Sequence, residues 1–307
     1  MRSRRGAIGY LFASPWLIGL LGLTLLPMVA SLLLSFVKWN GINISQMQWV
    51  GTSNYSRAFG DDNFWIALWN TAYYSFVAVP LGLTVSLTLA VLLNQKMRGI
   101  NLFRTIFYMP HVIGGVATIM MWMWVFNPDF GLLNAFLRAC ADTLARIGLI
   151  APGWEPPQWL YDPKWSKPSL ILMSLWGAGG AMLIFLAALQ NVPEQLYEAA
   201  RIDGANRLQQ FLHVTVPQIS PAIFFNLVMG VIGSFQVFNQ AYIMTSGGPA
   251  RSTLFYVLYL YQKAFEDFEM GYASALAWVL FVVILAFTMM IVRSSALWVY
   301  YEGEEAR

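Results

Sequence analysis

Two carboxylates, Glu194 and Glu198, open the most polar stretch in the second half of an otherwise apolar chain. The segment 194–221 reads EQLYEAARIDGANRLQQFLHVTVPQISP. Residues four apart share one face of a helix, so both carboxylates project the same way. No nucleophile or metal-binding pair accompanies them. The pattern therefore predicts a charged surface that contacts another molecule in water, and it does not predict a catalytic site.

The spacing of turn-forming residues indicates two short helices in this segment. Gly204 can take the left-handed conformation that ends a helix, and Asn206 is a suitable N-cap for a second helix through about Leu212. Pro217 and Pro221 are expected to end that second helix. The alternative is an ordinary solvated loop, which would need neither paired alanines beside a surface glutamate nor a defined turn.

Motifs for catalysis or for nucleotide binding are absent from the sequence. It contains no HExxH zinc-binding pair, no GxSxG nucleophile and no GxxxxGK[ST] phosphate loop. The single cysteine, Cys140, can form neither an intramolecular disulfide nor a cysteine metal site. An intramembrane enzyme is therefore disfavoured, and any energy source must be supplied by another protein.

Small and amide-bearing residues interrupt the apolar segments on either side of the polar stretch. Together with one neighbouring aromatic residue, they form the set of candidate pathway residues: Trp176, Gly177, Gly180, Asn226, Gly230, Gly233, Ser234, Gln236 and Asn239. On a helix, four of them, at 226, 230, 233 and 234, share one face. Glycines also allow close helix packing, but uncharged amides and hydroxyls beside an aromatic ring are what a neutral polyol requires. The set predicts a pathway for an uncharged polar solute.

The composition states what surrounds these residues. Hydrophobic residues make up 58% of the 307 residues and charged residues 11%, with a mean hydropathy of +0.57. Soluble domains carry about 25% charged residues, so the solvent of this chain is mostly a lipid bilayer. A net charge of +3 without a concentrated basic patch argues against a nucleic-acid partner.

Six segments are long and apolar enough to span a bilayer, which takes about 20 residues each. We expect an all-α integral membrane protein with one transmembrane domain, 1–307. The predicted spans are 11–37, 65–93, 103–126, 169–189, 222–245 and 272–292. Basic residues are modestly enriched at one set of span ends, which predicts cytoplasmic N- and C-termini and a cytoplasmic 194–221 segment.

The spans contain no Asp, Glu, Lys or Arg near their centres. A proton-driven transporter usually needs a titratable group on its pathway, and no internal repeat of the kind found in secondary transporters is visible. A secondary transporter or channel that acts alone on a neutral polar solute is therefore the alternative function. A purely structural scaffold would not need inward-facing amides.

The string from Glu198 to Ala205, EAARIDGA, resembles the EAA motif of bacterial ABC importer permeases. The apolar and proline-containing tail of that motif follows, with Phe211, Val214, Val216, Pro217 and Pro221. Other stretches resemble the maltose, lactose and glycerol-3-phosphate branch of these carbohydrate permeases, including 103–105 with Pro110, 127–131, 247–249 and 264–275. The resemblance covers nearly the whole chain.

This resemblance implies a type I ABC importer permease with six transmembrane helices in a bacterial cell membrane. Such a permease pairs with a second permease subunit and with two ATP-binding subunits, which hold ATP and Mg²⁺, so this chain needs no cofactor. An extracytoplasmic solute-binding protein delivers the sugar. The ATPase-coupling residues implied are Glu198, Ala199, Ala200, Asp203 and Gly204. Several positions that contact sugar in maltose-type permeases are glycine or apolar here, so the identity of the sugar does not transfer.

Overall fold

The computed structural model describes residues 12–95, 97–147 and 153–300, which are mostly helical. The first residue of the predicted first span, Leu11, and the basic residues of both termini lie outside the described residues. In chain order the helices are α1 (Phe12–Leu34), α2 (Ser53–Phe59), α3 (Asp62–Leu93), α4 (Ile100–Val112), α5 (Val116–Val125), α6 (Leu132–Arg146), α7 (Ser166–Leu175), α8 (Gly179–Gln190), α9 (Glu194–Ile202), α10 (Arg207–Gln218), α11 (Ser220–Phe235), α12 (Asn239–Met244), α13 (Tyr256–Tyr261) and α14 (Met270–Ser295). Two short antiparallel strands, β1 (Val37–Lys38) and β2 (Gln48–Trp49), follow α1.

Three of these helices, α1, α3 and α14, are individually long and apolar enough to cross a membrane. Three bent pairs also qualify: α4 with α5, α7 with α8, and α10 with α11. If each pair is one span, the described part of the chain has six, the number that the sequence predicts. The fifth of them then covers 207–235, whereas the predicted fifth span is 222–245 and the prediction places 207–221 in the polar segment. No residue in the most apolar window of α1 is buried within the protein, as expected for a helix surrounded by lipid.

The third span is sharply bent. Helices α4 and α5 meet at 100° across 113–115, and Gly115 has a φ of +77°. Glycine adopts this conformation without the steric penalty that other residues carry. The sequence predicts one segment over 103–126 because apolar composition continues through the break, and composition carries no information about direction.

The fifth predicted span, 222–245, is also divided. Helix α11 ends at Phe235, and the short helix α12 begins only at Asn239. In the fourth span, α7 and α8 meet at 44° around Gly177. These breaks expose backbone groups that a continuous helix would satisfy, and such groups occur at membrane depth only where protein or a water-filled cavity surrounds them.

The chain forms two compact bodies. Within the larger one, residues 66–258 with 284 onward, α3 and α8 pack through a buried apolar cluster. Its buried members are Ala90, Leu93, Met182, Phe185, Leu186, Leu189 and Ile219. A Cβ at Gly179 would overlap the carbonyl oxygen of Phe107, so α8 approaches α4 backbone to backbone. This use of a small residue at a helix contact is typical of membrane proteins.

The smaller body comprises residues 12–65 and 259–283. The Trp278 indole donates to the Ser31 hydroxyl at 3.0 Å, joining α14 to α1. A Cβ at Gly271 would overlap the carbonyl oxygen of Val37. Glycine is therefore required where the start of α14 meets β1.

A carboxylate between helices holds the smaller body together at the start of α3. The hydroxyls of Tyr259 and Tyr272 both donate to Asp61, the latter at 3.1 Å, and the backbone N–H of Asn63 donates at 2.9 Å. Burial raises the pKa of the Asp61 carboxyl, but these three hydrogen bonds outweigh it and hold that pKa below its usual value.

Candidate functional site

The polar segment 194–221 forms two helices joined by a tight turn, as predicted. Gly204 has a φ of +79°, the left-handed conformation expected of it. Asn206 caps α10 reciprocally: its side chain accepts from the Gln209 N–H at 2.9 Å, and the Gln209 side chain accepts from the Asn206 N–H at 2.8 Å. The predictions of a turn at Gly204 and a cap at Asn206 are confirmed.

The second helix of the segment is longer than predicted. The expected end at Leu212 is wrong, because α10 continues to Gln218 through one widened turn at 211–215. Pro217 lies inside this helix, which has no sharp stop before the bend into α11. The Tyr197 and Thr215 hydroxyls hydrogen-bond at 2.9 Å, which fixes the angle between the two helices.

The outer surface of this segment is exposed and mixed in character. Glu198, Ala199, Asp203 and Gly204 are exposed, and Ala200 is half-buried. Within the described ranges, neither Glu198 nor Asp203 forms an ion pair. A pocket with a volume of about 330 Å³ lies between the two helices, and its lining includes Ala200, Asp203 and Gly204.

Apolar side chains stand out beside these carboxylates. Ile202 is 86% exposed, Leu208 66% and Leu212 51%. A solvated loop does not need three projecting aliphatic side chains, whereas a protein contact gains from burying them. Exposed carboxylates, projecting aliphatics and a defined turn together make this segment a candidate docking surface.

A second functional candidate is a cavity of about 400 Å³ in the larger body, between α3, α7, α8 and α11. Five of the nine predicted pathway residues line it: Gly177, Asn226, Gly230, Gly233 and Ser234. The four α11 residues among them are the set that helical spacing places on one face, and that prediction is confirmed.

The glycines of this cavity have two different roles. A Cβ at Gly230 would lie 3.1 Å from a methyl group of Val79, so Gly230 lets α11 approach α3 closely. A Cβ at Gly233 would meet nothing within 4 Å, and one at Gly177 only a carbonyl oxygen at 3.5 Å. Gly233 and Gly177 therefore leave open volume, whereas Gly230 serves packing.

The polar atoms of the cavity are uncharged. The Asn226 amide donates to the Ala222 carbonyl at 2.9 Å, and the Ser234 hydroxyl donates to the Val231 carbonyl at 2.9 Å. Both oxygens can still accept a hydrogen bond. None of the described residues that line the cavity is charged, which suits a hydroxyl-rich solute.

The other four predicted residues do not line this cavity. Trp176 is exposed and packs edge-on against Trp122, and a Cβ at Gly180 would lie 2.7 Å from the imidazole of His111. Gln236 and Asn239 are exposed and flank the break after α11. Grouping these four residues with the others assumed continuous helices. The helical periodicity is interrupted by the bend between α7 and α8 and by the end of α11.

The sequence interpretation missed the contribution of α3. Tyr74, Gly82 and Ser86 line the cavity from that helix, and the Ser86 hydroxyl donates to the Ala178 carbonyl at 2.9 Å. The available signal is that small and hydroxyl-bearing residues recur along a 32-residue helix that is otherwise strongly apolar.

Comparisons with known proteins agree with one another. The family model described as binding-protein-dependent transport system inner membrane component matches residues 78–296. The probable ABC transporter permease protein YesP of Bacillus subtilis is 43% identical over 97% of this chain and 93% of its own length. The lactose transport system permease protein LacF of Rhizobium radiobacter is 37% identical over 91% of each.

A solved structure shares the fold. A chain of the bacterial alginate ABC transporter, in complex with an alginate pentasaccharide-bound periplasmic protein, superposes with a TM-score of 0.79. The match covers 95% of both chains at 23% sequence identity. The described helices, which supply between three and six candidate spans, therefore have the fold of that importer chain.

Proposed function

The chain belongs to the family of binding-protein-dependent transport system inner membrane components, and we propose that it forms half of the pathway of an ATP-driven saccharide importer. Family members are transport subunits and not enzymes. The proposal assigns ATP hydrolysis, with ATP and Mg²⁺, to a partner and gives this chain conformational coupling by alternating access.

The observation that carries the proposal is the α9–turn–α10 surface. It combines exposed carboxylates without ion pairs in the described part, projecting aliphatics and a glycine turn, all in the segment that precedes α11. We propose that α9 inserts into a groove of an ATP-binding subunit, where Glu198 faces a basic residue. Ala199 and Ala200 permit close approach, Asp203 lies at the rim, and Gly204 turns the chain away.

We propose the remaining subunits of the importer on the basis of family membership. A second permease subunit completes the pathway, two ATP-binding subunits supply energy, and an extracytoplasmic binding protein delivers the solute. The protein is a multi-pass membrane protein. We propose a bacterial inner membrane with both termini, and the α9–α10 surface, on the cytoplasmic side.

The cavity beside α11 is the proposed solute pathway of this half. Its described lining contains amide and hydroxyl oxygens and no charged side chain, and there is open volume at Gly233. LacF is named for lactose and the solved transporter for alginate, and these names support a saccharide as the class of solute here.

Charge reversal at Glu198 tests the coupling role. In proteoliposomes containing the complete importer, Glu198→Lys should place a cation against a basic groove and uncouple ATP hydrolysis from uptake. Glu155→Lys reverses an exposed carboxylate in the loop before α7 and serves as the matched control. Normal solute-stimulated ATPase activity in Glu198→Lys would refute the assignment, whereas loss in both variants would indicate a general charge effect.

A further inference from the structure

A larger cavity lies in the smaller body and plays no part in the proposed pathway. Its volume is about 670 Å³, within the range of about 300–1,000 Å³ typical of small-ligand sites. Its walls come from the β1–β2 loop, from α2 and from residues 268–272 at the start of α14. Charged side chains are among the described residues that line it, which is not the case for the cavity beside α11.

The walls of this outer cavity are held in place by internal bonds. The Arg57 guanidinium donates two hydrogen bonds to Glu269, each at 2.8 Å, and lies 4.3 Å from the centroid of the Tyr272 ring. The buried Asn54 amide donates to the carbonyls of Ser35 and Val37 at 2.8 and 3.1 Å. The cavity therefore keeps its shape without a ligand, which reduces the ordering cost of binding.

The described residues that line the cavity carry one net positive charge. They include two cations, Lys38 and Arg57, and one carboxylate, Glu269. The bidentate pair uses the charge of Arg57, and the described residues contain no carboxylate paired with Lys38. An ammonium group at the wall of a preformed cavity favours a ligand that brings its own carboxylate.

Two aromatic residues, Trp39 and Phe268, also line the cavity. The Trp39 indole N–H donates to the Asn43 carbonyl at 3.0 Å, which fixes the ring and leaves its faces for apolar contact. Phe268 is 53% exposed and has a φ of +55°. A bulky residue rarely adopts this conformation, and such strain collects at ligand sites.

The half-buried Trp39 ring, the exposed Phe268 ring, neutral hydrogen-bonding groups and a lysine without an ion pair among the described residues are the elements of an acidic-sugar site. Gln48 and Ser53 supply the neutral groups. We propose that the outer cavity binds a carboxylate-bearing saccharide, with Lys38 on the carboxylate and Trp39 on an apolar face of a sugar ring. It would select uronate-containing solutes, which are acidic, whereas the pathway residues predict an uncharged solute. The cavity beside α11 would then contact only the hydroxyl groups of such a solute, and the outer cavity would recognise its carboxylate.

This assignment rests on the proposed function for its place in transport. In the proposed topology of six spans with cytoplasmic termini, the loop after the first span and the loop before the sixth are extracytoplasmic. The solute arrives on that side of the membrane. The cavity is then an entry site.

Direct binding tests the entry site without the binding protein. The complete importer in lipid nanodiscs, without ATP, is titrated by calorimetry with a trimer of galacturonate and with the matching neutral trimer of galactose. The native protein should bind the acidic trimer at least threefold more tightly, because a partly exposed ion pair contributes modestly. Added salt should shrink the difference.

Two substitutions and one control locate the preference. Lys38→Gln should abolish it and Lys38→Glu should invert it, whereas Lys164→Gln, an exposed lysine outside the cavity, should leave it unchanged. Equal binding of both trimers by the native protein, absence of binding, or a preference that survives Lys38→Gln would overturn the assignment.

ATP-dependent uptake by the same preparations separates this inference from the proposed function. If uptake with the binding protein persists while neither trimer binds alone, the entry site is wrong and the importer stands. If Lys38→Gln weakens only the affinity for the binding protein, the cavity receives a protein side chain, and the saccharide assignment is again overturned.

Discussion

Replacing Gly204 by alanine isolates the conformational requirement of the α9–α10 turn. A Cβ at Gly204 would meet nothing within 4 Å, so the substitution creates no clash, and its entire cost comes from the φ of +79°. The left-handed conformation costs an ordinary residue about 1–2 kcal/mol. That cost lowers the population of the native turn by roughly five- to thirty-fold relative to alternatives. Solute-stimulated ATPase activity should fall accordingly.

A short substitution series makes this prediction specific. Gly204→Asn should retain more activity than Gly204→Ala, because asparagine tolerates the left-handed region better, and Gly204→Pro should retain least. Gly22→Ala is the matched control: Gly22 lies in α1, and a Cβ there also meets nothing within 4 Å. The assay is ATP hydrolysis with and without solute in proteoliposomes. Equal stimulation in Gly204→Ala, Gly204→Asn and the native protein would refute the reasoning.

Three further predictions follow from the same contacts. Gly233→Leu should fill open volume and reduce uptake while leaving the unfolding temperature unchanged. Gly230→Leu should lower the unfolding temperature, because its side chain would collide with Val79. The reverse pattern would contradict the assigned roles. Asn206→Ala should cost about 1 kcal/mol of local stability through loss of the cap, seen as faster amide exchange at the start of α10; unchanged exchange would count against it. Because the pKa of Asp61 is lowered on folding, the ionised carboxylate stabilises the fold above its unfolded-state pKa, and this stabilisation is lost as pH falls through the folded-state pKa. Asp61→Asn should therefore flatten the acid side of the plot of stability against pH. An unaltered plot would disprove the link.

Local chemistry explains which features were predictable from sequence. Gly204 and Asn206 act through their own backbone conformation and the next few residues, so the turn and the cap follow directly from residue type. Helical spacing likewise groups Asn226 with Ser234, because both lie on the unbroken helix α11. The apolar segments predict six spans because the hydropathy of a segment depends only on its own residues.

Features that depend on distant contacts were not predictable. The 100° bend before α5 changes the direction of the chain, and hydropathy carries no information about direction. The Arg57–Glu269 pair joins residues separated by 212 positions, and nothing near either residue indicates the other. The outer cavity exists only because β1 and β2 meet the start of α14, so Lys38 and Phe268 had no visible connection in the sequence.

Reconstitution with and without the ATP-binding subunits tests whether ATP drives transport through this chain. Proteoliposomes containing this permease, its permease partner and loaded binding protein are assayed for saccharide uptake. We expect uptake only when the ATP-binding subunits and hydrolysable ATP are both present. Uptake driven by the solute gradient through this chain alone, or through the permease pair without ATP, would refute ATP-driven import and establish an independent transporter or channel.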